Sequence, residues 1–524
     1  MGIPFLNNHL AGRWQPDTAP AATLRDPVSG EVLARAGGAA ADLSSAFAFS
    51  RHAGREALQA MTCGQRAAML ARVVDVLKSH RDDYLAISIA NSGTTPADSA
   101  IDVDGAIYTL GFYAKAGAAL GEATTLLDGA AVSLSKDGSF QSQHVLAPVQ
   151  GLALFINAFN FPAWGLWEKA APALLSGVPV VVKPATVTAW LTHRMVHDVI
   201  AAGVLPPGAL SIVCGSSAGL LDALQPFDVL SFTGSAETAA LIRSHAAVAR
   251  DGVRTNIEAD SLNAAILAPD AVPGSPAFDA YLNELVRELA TKSGQRCTCI
   301  RRALVPQTHF DAVAEAASAR LGQLRVGNPR HAEVRIGSLV SRAQADGVRA
   351  GIAALRGEAR CLFDGDGVAL VDVDPAVAAC VAPTLLGVRD GDTAALVHRH
   401  EVFGPVATLI GYRDSAHAVD LARRGEGSLV ASLFSADDAW LARTAQALAS
   451  AHGRVHAVNP TVAKTHTGHG NVMPQSVHGG PGRAGGGEEL GGLHALRFYH
   501  RRSALQLPQG ALAQLAVGAA TLSD

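Results

Sequence analysis

The chain has 524 residues, of which 49% are hydrophobic and 17% are charged, and this length is too great for a single hydrophobic core. Its net charge of −4 excludes a chain-wide positive field, so we expect neither a nucleic-acid nor a membrane partner. The six cysteines lack the spacing of a disulfide framework, and no secretory signal precedes Leu10, which predicts a cytoplasmic protein with free thiols.

The segment from Gly151 to Leu267 alternates apolar strands with helical stretches. This alternation predicts a parallel sheet that helices cover on both faces. The predicted strands are Leu152–Ile156, Val178–Val182, Leu210–Val213 and Val229–Phe232. The predicted helices are Ala163–Leu175 with Pro162 in its first turn, Leu191–Ala202, Ala218–Leu224 and Ala236–Val248.

The predicted strands end in small or polar residues, at the edge where parallel sheets bind ligands. These residues are Asn157, Lys183, Gly215 and Gly234. The first strand–helix turn carries no G-x-G-x-x-G motif, so a dinucleotide would bind here without the usual glycine-rich turn.

The pattern begins again after Leu267 and predicts a second α/β unit. Its predicted elements are the helix Tyr281–Lys292, the strand Arg302–Val305, the helix His309–Leu321 and the strand Leu429–Phe434. The glycine-rich segment from His478 to Glu489 predicts a loop.

Cys297 lies in the second unit, in Gly294-Gln295-Arg296-Cys297-Thr298, and Glu258 precedes it in the chain. A free thiol with a pKa of about 8.5 is mostly protonated at neutral pH, so a cysteine that attacks a carbonyl needs a base. A carboxylate can be that base, or can later activate a water against a thioester. The alternatives are a buried structural cysteine and an ion-paired or solvated glutamate.

Two further segments give this pair its meaning, Asn157-Ala158-Phe159-Asn160-Phe161-Pro162 and Val180-Val181-Val182-Lys183-Pro184. In this order the motifs resemble the aldehyde dehydrogenase superfamily, from about Gly12 to about Tyr499. The resemblance implies an α/β fold with a Rossmann-like cofactor domain (1–127 and 149–266), an α/β catalytic domain (267–477) and a small β oligomerisation element (128–148 and 490–510). It also implies a homodimer or a dimer of dimers, in which the oligomerisation element pairs Asp128–Pro148 with a strand near Leu496–Tyr499.

The resemblance implies four catalytic residues. Cys297 would attack the aldehyde carbon, lose hydride to a nicotinamide and become a thioester, and Glu258 would activate the water that hydrolyses it. Asn160 would donate its amide to the oxyanion, although it could instead cap the helix after Pro162. Lys169 would lie near the base and relay protons, unless it is a surface lysine.

The resemblance also implies the cofactor contacts Asn157, Phe159, Lys183, Pro184, Thr186, Gly215, Thr233, Gly234, Ser235, Glu401 and Phe403. Many NAD-preferring relatives carry a glutamate where this chain has Thr186. Because that carboxylate would repel a 2′-phosphate, we expect NADP as the cofactor, with NAD possible.

Trp164, Trp167 and His478 are expected to shape the substrate tunnel. The segments after Glu258 and His478 resemble a branch of the family that acts in CoA-dependent degradation of aromatic compounds, which implies a CoA-linked semialdehyde. Cationic residues expected in exposed loops would then contact the CoA phosphates, unless they form a solvated rim; they are Lys464, His466, His469 and Arg483. We expect no metal, because Cys299 beside Cys297 has no second ligand pair.

Four alternatives stay open from the sequence. The enzyme could oxidise another semialdehyde or a free aldehyde. It could release its thioester to CoA, although a base for water at Glu258 argues against this. It could be a thiol hydrolase, although no Cys–His constellation is evident, or a non-catalytic binding protein on the same fold.

Overall fold

The computed structural model describes residues 2–16, 19–38 and 42–522. Its helices are α1 (Leu43–Phe49), α2 (Arg55–Gln59), α3 (Cys63–Ser79), α4 (Arg81–Ser92), α5 (Pro96–Ala118), α6 (Trp164–Leu175), α7 (Ala189–Ala201), α8 (Ala236–Ser244), α9 (Ala246–Ala249), α10 (Pro276–Ala290), α11 (Phe310–Leu321), α12 (Arg342–Leu355), α13 (Ser415–Arg423), α14 (Asp438–Leu448) and α15 (Gln509–Ala516).

The strands up to the middle of the chain are β1 (Phe5–Leu6), β2 (Asn8–Leu10), β3 (Arg13–Gln15), β4 (Ala22–Arg25), β5 (Val32–Ala36), β6 (Thr125–Leu127), β7 (Val132–Ser133), β8 (Phe140–Pro148), β9 (Ala153–Ile156), β10 (Val180–Lys183), β11 (Leu210–Ile212), β12 (Val229–Thr233) and β13 (Arg254–Glu258). The remaining strands are β14 (Ala264–Leu267), β15 (Arg302–Pro306), β16 (Val326–Gly327), β17 (Arg360–Phe363), β18 (Leu370–Val371), β19 (Thr384–Val388), β20 (Val406–Tyr412), β21 (Ser428–Phe434), β22 (His452–Val458), β23 (Val477–Gly479), β24 (Glu488–Leu490), β25 (His500–Pro508) and β26 (Ala519–Thr521).

The first large sheet has seven strands in the order β13-β12-β9-β10-β11-β2-β3. Strands β9 to β13 pair in parallel, and the β2–β3 hairpin extends the sheet antiparallel. Alternate side chains of β10 enter different hydrophobic cores, Val180 and Val182 on one face and Val181 on the other. Burial on both faces explains why these strands read as continuous apolar runs.

The second large sheet also has seven strands, in the order β17-β19-β20-β15-β14-β21-β22. All its pairs are parallel except β17–β19, and two hydrophobic cores cover its faces. Every strand of the first sheet precedes residue 259, and every strand of the second follows residue 263. Glu258 therefore ends the last strand of the first sheet, and Cys297 lies in the second unit, between α10 and β15.

A third sheet joins the middle of the chain to its C-terminal part. Strand β8 pairs antiparallel with β25 over nine residues, from Phe140↔Pro508 to Pro148↔His500, and β6, β7 and β26 complete the sheet. This is the pairing that the sequence predicted, but its C-terminal strand begins at His500. Leu496–Tyr499, expected as strand, lies in the 3₁₀ helix Gly492–Tyr499.

Four smaller expectations about the elements were wrong. Ala218–Leu224 forms turns, because Gly219 has a φ of +78°, which is incompatible with a helix. The stretch Ala236–Val248 divides at His245, whose backbone is extended. Helix α10 ends at Ala290, because Thr291 is extended and the next three residues are left-handed. Pro162 precedes α6, whose N-cap is Ala163.

Within the described residues, no helix is both long and apolar enough to cross a membrane.

Candidate active site

The loop that carries Cys297 begins with a strained turn. Lys292, Ser293 and Gly294 have φ values of 50°, 55° and 69°, and the left-handed region costs roughly 1–2 kcal/mol for each residue other than glycine. The Ser293 hydroxyl donates to the Gly337 carbonyl at 3.0 Å, which holds the turn in place. A Cβ at Gly294 would lie 2.2 Å from the Gly404 carbonyl oxygen, so this position admits only glycine.

The backbone on the other side of the nucleophile is fixed by one buried amide. The Asn263 side chain donates to the carbonyls of Cys297 at 2.7 Å and Cys299 at 3.0 Å. Its oxygen accepts from the Ser261 hydroxyl at 2.7 Å and from the Val430 N–H at 3.0 Å. Cys297 is thereby anchored to the segment between the two large sheets.

Glu258 and His478 form a buried pair beside the Cys297 sulfur. The His478 Nε2 lies 2.9 Å from the Glu258 Oε2, and the Cys297 sulfur lies close to both side chains. The potential ligand atoms of these three side chains lie within 4.8 Å of one another. Glu258 is only 5% exposed, so the alternative of a solvated glutamate is wrong.

The ionisation of this group follows from burial and neighbouring charge. Burial alone would raise the pKa of Glu258, but the His478 imidazolium and the Lys169 ammonium lower it to about 2. Burial would lower the pKa of His478, but Glu258 raises it above its usual value. Burial, and then the charge of Glu258, raise the pKa of the Cys297 thiol. The resting thiol is therefore protonated and needs a base to become a nucleophile.

Lys169 lies in an anionic cluster behind the base. Its Nζ is 2.9 Å from the Glu168 Oε1 and 3.3 Å from the Glu489 Oε2, and the residue is 2% exposed, so it is not a surface lysine. Glu489 is the cross-strand partner of His478 in the β23–β24 hairpin. Burial raises the pKa of Glu489 to about 7, and Lys169 opposes that rise.

Asn160 lines the cavities around Cys297 and does not cap helix α6. The N–H groups at the start of α6 donate to the buried Asp102 instead, from Trp164 at 2.8 Å and from Ala163 at 3.3 Å. The capping alternative for Asn160 is therefore wrong, and its amide is available at the nucleophile.

Two cavities meet at Cys297. The larger, about 490 Å³, is lined by seven of the predicted cofactor residues, and the smaller, about 50 Å³, is lined by Trp164, Lys169 and His478. The walls of both include Asn157, Asn160, Glu258 and Cys297. The cofactor residues in the larger cavity are Asn157, Phe159, Thr233, Gly234, Ser235, Glu401 and Phe403.

The larger cavity fits a dinucleotide. Ser235 caps helix α8, whose N-terminal N–H groups suit a pyrophosphate, and the buried Asn157 Oδ1 and Thr233 Oγ1 have no partner among the described residues. The Phe403 ring packs edge-to-face on Phe159 at 5.7 Å. Glu401 accepts from the Ser261 N–H at 2.9 Å, and burial raises its pKa to about 7.

Four predicted cofactor residues do not line this cavity: Lys183, Pro184, Thr186 and Gly215. Of the turn from Lys183 to Thr186, Ala185 alone lies in the cavity wall. Lys183 is buried, and its Nζ donates to the Pro184 carbonyl at 2.6 Å and to the Thr186 hydroxyl at 3.2 Å. Burial lowers the pKa of Lys183 to about 8. The Thr186 hydroxyl in turn donates to the Gly215 carbonyl at 3.3 Å.

The structure corrects two expectations on the substrate side. Trp167 is 0% exposed and belongs to the core under α6, so of the two tryptophans only Trp164 lines the tunnel. The four expected phosphate contacts do not form one exposed patch. His469 is buried with its Nδ1 2.6 Å from the Ser432 hydroxyl, Arg483 lies 3.7 Å from Asp260 in the cofactor wall, His466 contacts His456 at 3.1 Å, and Lys464 alone of the four is exposed.

Sequence reasoning missed the contact of His478 with the base, and it missed Asn263, Glu168 and Glu489. Asn263 could have been noticed as an isolated amide directly before an apolar strand. The acidic pair Glu488-Glu489 at the end of the segment predicted as a glycine-rich loop was a second signal. That loop prediction was wrong at both ends, because His478 lies in β23 and the acidic pair lies in β24.

A family model described as the aldehyde dehydrogenase family matches residues 14–504. The chain belongs to this family. The 3,4-dehydroadipyl-CoA semialdehyde dehydrogenase of Aromatoleum evansii is 53% identical over 477 residues, which cover 91% of this chain and 93% of that protein. The 2-aminomuconic 6-semialdehyde dehydrogenase of a Pseudomonas species is 28% identical over 504 residues, covering 94% and 96%.

A similar solved structure is that of aldehyde dehydrogenase C of Pseudomonas syringae with NAD⁺ and octanal, with a TM-score of 0.81, 23% identity and coverage of 95% and 96%. The predicted family, the α/β fold and the assignment as an aldehyde dehydrogenase enzyme are thus confirmed. The alternative of a non-catalytic binding protein is wrong. The family uses NAD or NADP, and the larger cavity is where this chain has room for it.

Proposed function

We propose that this aldehyde dehydrogenase oxidises a CoA-linked semialdehyde, 3,4-dehydroadipyl-CoA semialdehyde, to the carboxylic acid in the aerobic degradation of benzoate. The observation that carries the chemistry is that the Cys297 sulfur lies within 4.8 Å of the Glu258–His478 pair where the two cavities meet. The choice of substrate is supported by the 53% identity to the 3,4-dehydroadipyl-CoA semialdehyde dehydrogenase of Aromatoleum evansii.

The first half of the reaction uses Cys297, Glu258 and Asn160. Glu258 accepts the thiol proton, and the sulfur attacks the aldehyde carbon to form a thiohemiacetal. The Asn160 amide and the Cys297 backbone N–H donate to the oxyanion, and loss of one such donor costs about 3–4 kcal/mol in comparable sites. A nicotinamide cofactor, when bound, supplies the hydride acceptor, which leaves a thioester on Cys297.

The second half uses the Glu258–His478 pair on water. After the pair has released the thiol proton to solvent, Glu258 removes a proton from the water that attacks the thioester, and this proton passes to the leaving sulfur as the acid is released. With His478 neutral and Glu258 ionised, the pair takes up one proton as a unit and holds it as an imidazolium beside a carboxylate. Beside a protonated His478 the pKa of Glu258 is about 2, which makes Glu258 a weak base, so the pair acts as a base while His478 is neutral.

A carboxylate base within 4.8 Å of the sulfur supports water rather than CoA as the acceptor of the acyl group. Free CoA added to the assay should therefore not become attached to the newly formed carboxyl group. Formation of a new acyl-CoA from a free aldehyde would support the acylating alternative instead.

NADP is the cofactor that the adenosine end favours. No carboxylate stands at Thr186, and the Lys183 ammonium beside it is buried with a pKa of about 8. A 2′-phosphate would supply the counter-charge that this ammonium lacks, whereas NAD would not. NAD is the alternative, and a higher kcat/KM with NAD than with NADP would favour it.

The third sheet is proposed as the surface for a homodimer or a dimer of dimers. Large apolar side chains are exposed on or beside it, including Val132, Phe140 and Val517. Sedimentation equilibrium gives the assembly directly. A monomer at micromolar concentration would contradict this proposal.

The test of the function is NADPH formation with CoA-linked and with free six-carbon semialdehydes, repeated with NAD. Higher kcat/KM for the CoA-linked substrate with NADP is expected. Equal turnover of free aldehydes would preserve the mechanism and discard the CoA-linked substrate.

A further inference from the structure

A surface groove of about 850 Å³ lies between helices α3 and α5 and the loop that holds Gln475. Its floor and walls contain the aromatic residues Tyr108 and Phe112 and the cationic residues Lys78 and Lys115. The site described above does not use any of these residues.

The groove and the substrate cavity lie along the same face of α5. Ile101 lines the small cavity at Cys297, and Asp104, Tyr108 and Lys115 line the groove on later turns of the same helix. From Ile101 to Lys115 the helix rises about 21 Å, a span that an extended pantetheine arm with its acyl group can cover.

Two further elements join the cavity to the groove. The loop after Gly470 lines the cavity with Val472 and the groove with Gln475. The Trp164 ring, in the wall of the cavity, packs directly on Gly105 of α5, where an added Cβ would lie 2.6 Å from it.

The charge of the groove suits an anionic ligand. Lys78 and Lys115 are exposed, and neither forms an ion pair within the part of the chain that the structure describes. Arg81 is already paired with Asp104 at 2.6 Å, so it adds little net charge. Two unpaired ammonium groups therefore remain, and lysines of this kind bind phosphate as point charges.

The aromatic residues suit a purine base. Tyr108 is 50% exposed although it lies in the middle of a long helix, and the half-buried Phe112 follows it one turn later. Exposed aromatic faces stack on nucleobases without regard to sequence. The groove thus combines cations and aromatic rings on the helix face that also borders the cavity at Cys297.

We propose that this groove binds the phosphoadenosine and pantetheine parts of a CoA thioester whose aldehyde end reaches Cys297. Lys78 and Lys115 contact the phosphates, and Tyr108 with Phe112 packs on the adenine. This inference rests on the proposed function, and it moves the phosphate site away from Lys464, His466, His469 and Arg483.

The test compares Lys78→Glu, Lys115→Glu and their double variant with Lys464→Glu, which makes the same charge change at an exposed lysine outside the groove. We expect the KM for the CoA-linked semialdehyde to rise about tenfold or more in the double variant. The kcat/KM for a free six-carbon semialdehyde should stay within about twofold in every variant, because an exposed charge far from the sulfur is screened. Lys464→Glu should match the wild type on both substrates.

A second measurement tests the groove without the lysine variants, in case these fold poorly. Acetyl-CoA should compete with the free semialdehyde in the wild-type holoenzyme and compete less well in Tyr108→Ala, which leaves both lysines in place. An unchanged KM for the CoA-linked substrate in the double variant would overturn the groove while the proposed function stood. A wild type that does not distinguish the two substrates would overturn the proposed function itself. A change in sedimentation caused by the lysine variants would assign the groove to a second copy of the chain and overturn the inference.

Discussion

The two cavities that meet at Cys297 are built from different parts of the sequence. The cofactor side consists of residues at the ends of neighbouring parallel strands, such as Asn157 after β9 and Gly234 after β12. The substrate side depends on buried charges from segments far apart in the chain, Lys169, Glu258, His478 and Glu489. The fold alone places the first group, whereas only specific ion pairs place the second.

This difference has a chemical consequence. Substitutions on the cofactor side should change which dinucleotide is used, and those on the substrate side should change the rate of the chemistry. Five predictions test that division, beginning with the nucleophile that both cavities share.

Replacing the nucleophile has the largest expected effect. Cys297→Ala should lower kcat by about 10⁴-fold or more, because no other thiol can form the thiohemiacetal. The matched control is Cys361→Ala, which removes an exposed thiol. NADPH formation shows the loss, and quenching of tryptophan fluorescence by the cofactor should persist. Residual turnover close to that of the control would remove Cys297 from the mechanism.

Replacing the base should separate the two halves of the reaction. Glu258→Gln should lower steady-state turnover about 10²–10⁴-fold, because the thioester is no longer hydrolysed efficiently. Rapid mixing should still show a burst of NADPH if Cys297 can lose its proton by another route. Full steady-state activity would show that Glu258 is not the base for water.

Removing the oxyanion donor should act on both halves. Asn160→Ala should lower kcat about 10²–10³-fold, and the KM for the cofactor should change little. The measurement is the full kinetic analysis with both substrates varied. A rise in the cofactor KM with kcat unchanged would place Asn160 in cofactor binding only.

His478→Gln should lower kcat about 10–100-fold, because Glu258 loses the partner that orients it and shares its proton. The wild-type pKa of His478 is raised, so the pair is an effective base only above that pKa, and kcat should fall as pH decreases through it. The variant should lose this ionisation from its pH profile. His494→Gln is the control, and an unchanged acid limb in His478→Gln would contradict the pairing.

The smallest effect belongs to the cofactor side. Thr186→Glu should raise the KM for NADP about tenfold through repulsion of the 2′-phosphate, with the KM for NAD unchanged. Thr186→Gln controls for size without charge. Equal changes for the two cofactors would show that position 186 does not read the 2′-phosphate.

The sequence identified the parts of the site that depend on local motifs. Cys297, Glu258 and Asn160 stand in short segments whose order along the chain indicates the family, and the structure brings them together. The apolar runs around β9 and β10 predicted buried parallel strands because both faces of such strands enter a core.

The predictions were wrong for residues whose role depends on whether the side chain is buried. Trp164 and Trp167 are three residues apart on one helix, and the sequence does not show which of them faces the core. His469 and Arg483 lie in polar loops that suggested exposure, yet each has a partner from a distant segment. The contact of His478 with Glu258 requires the β23–β24 hairpin to lie over the end of β13, which no local pattern encodes.

The ladder between β8 and β25 also determines when the third sheet can be completed. A ribosome makes β8 early, and His500, the partner of Pro148, emerges only after both large sheets have been synthesised. Until then β8 presents an unpaired edge with exposed Phe140, the kind of surface that recruits other chains. Completion of the third sheet is therefore a post-translational event, and a stalled nascent chain is the species most prone to aggregate.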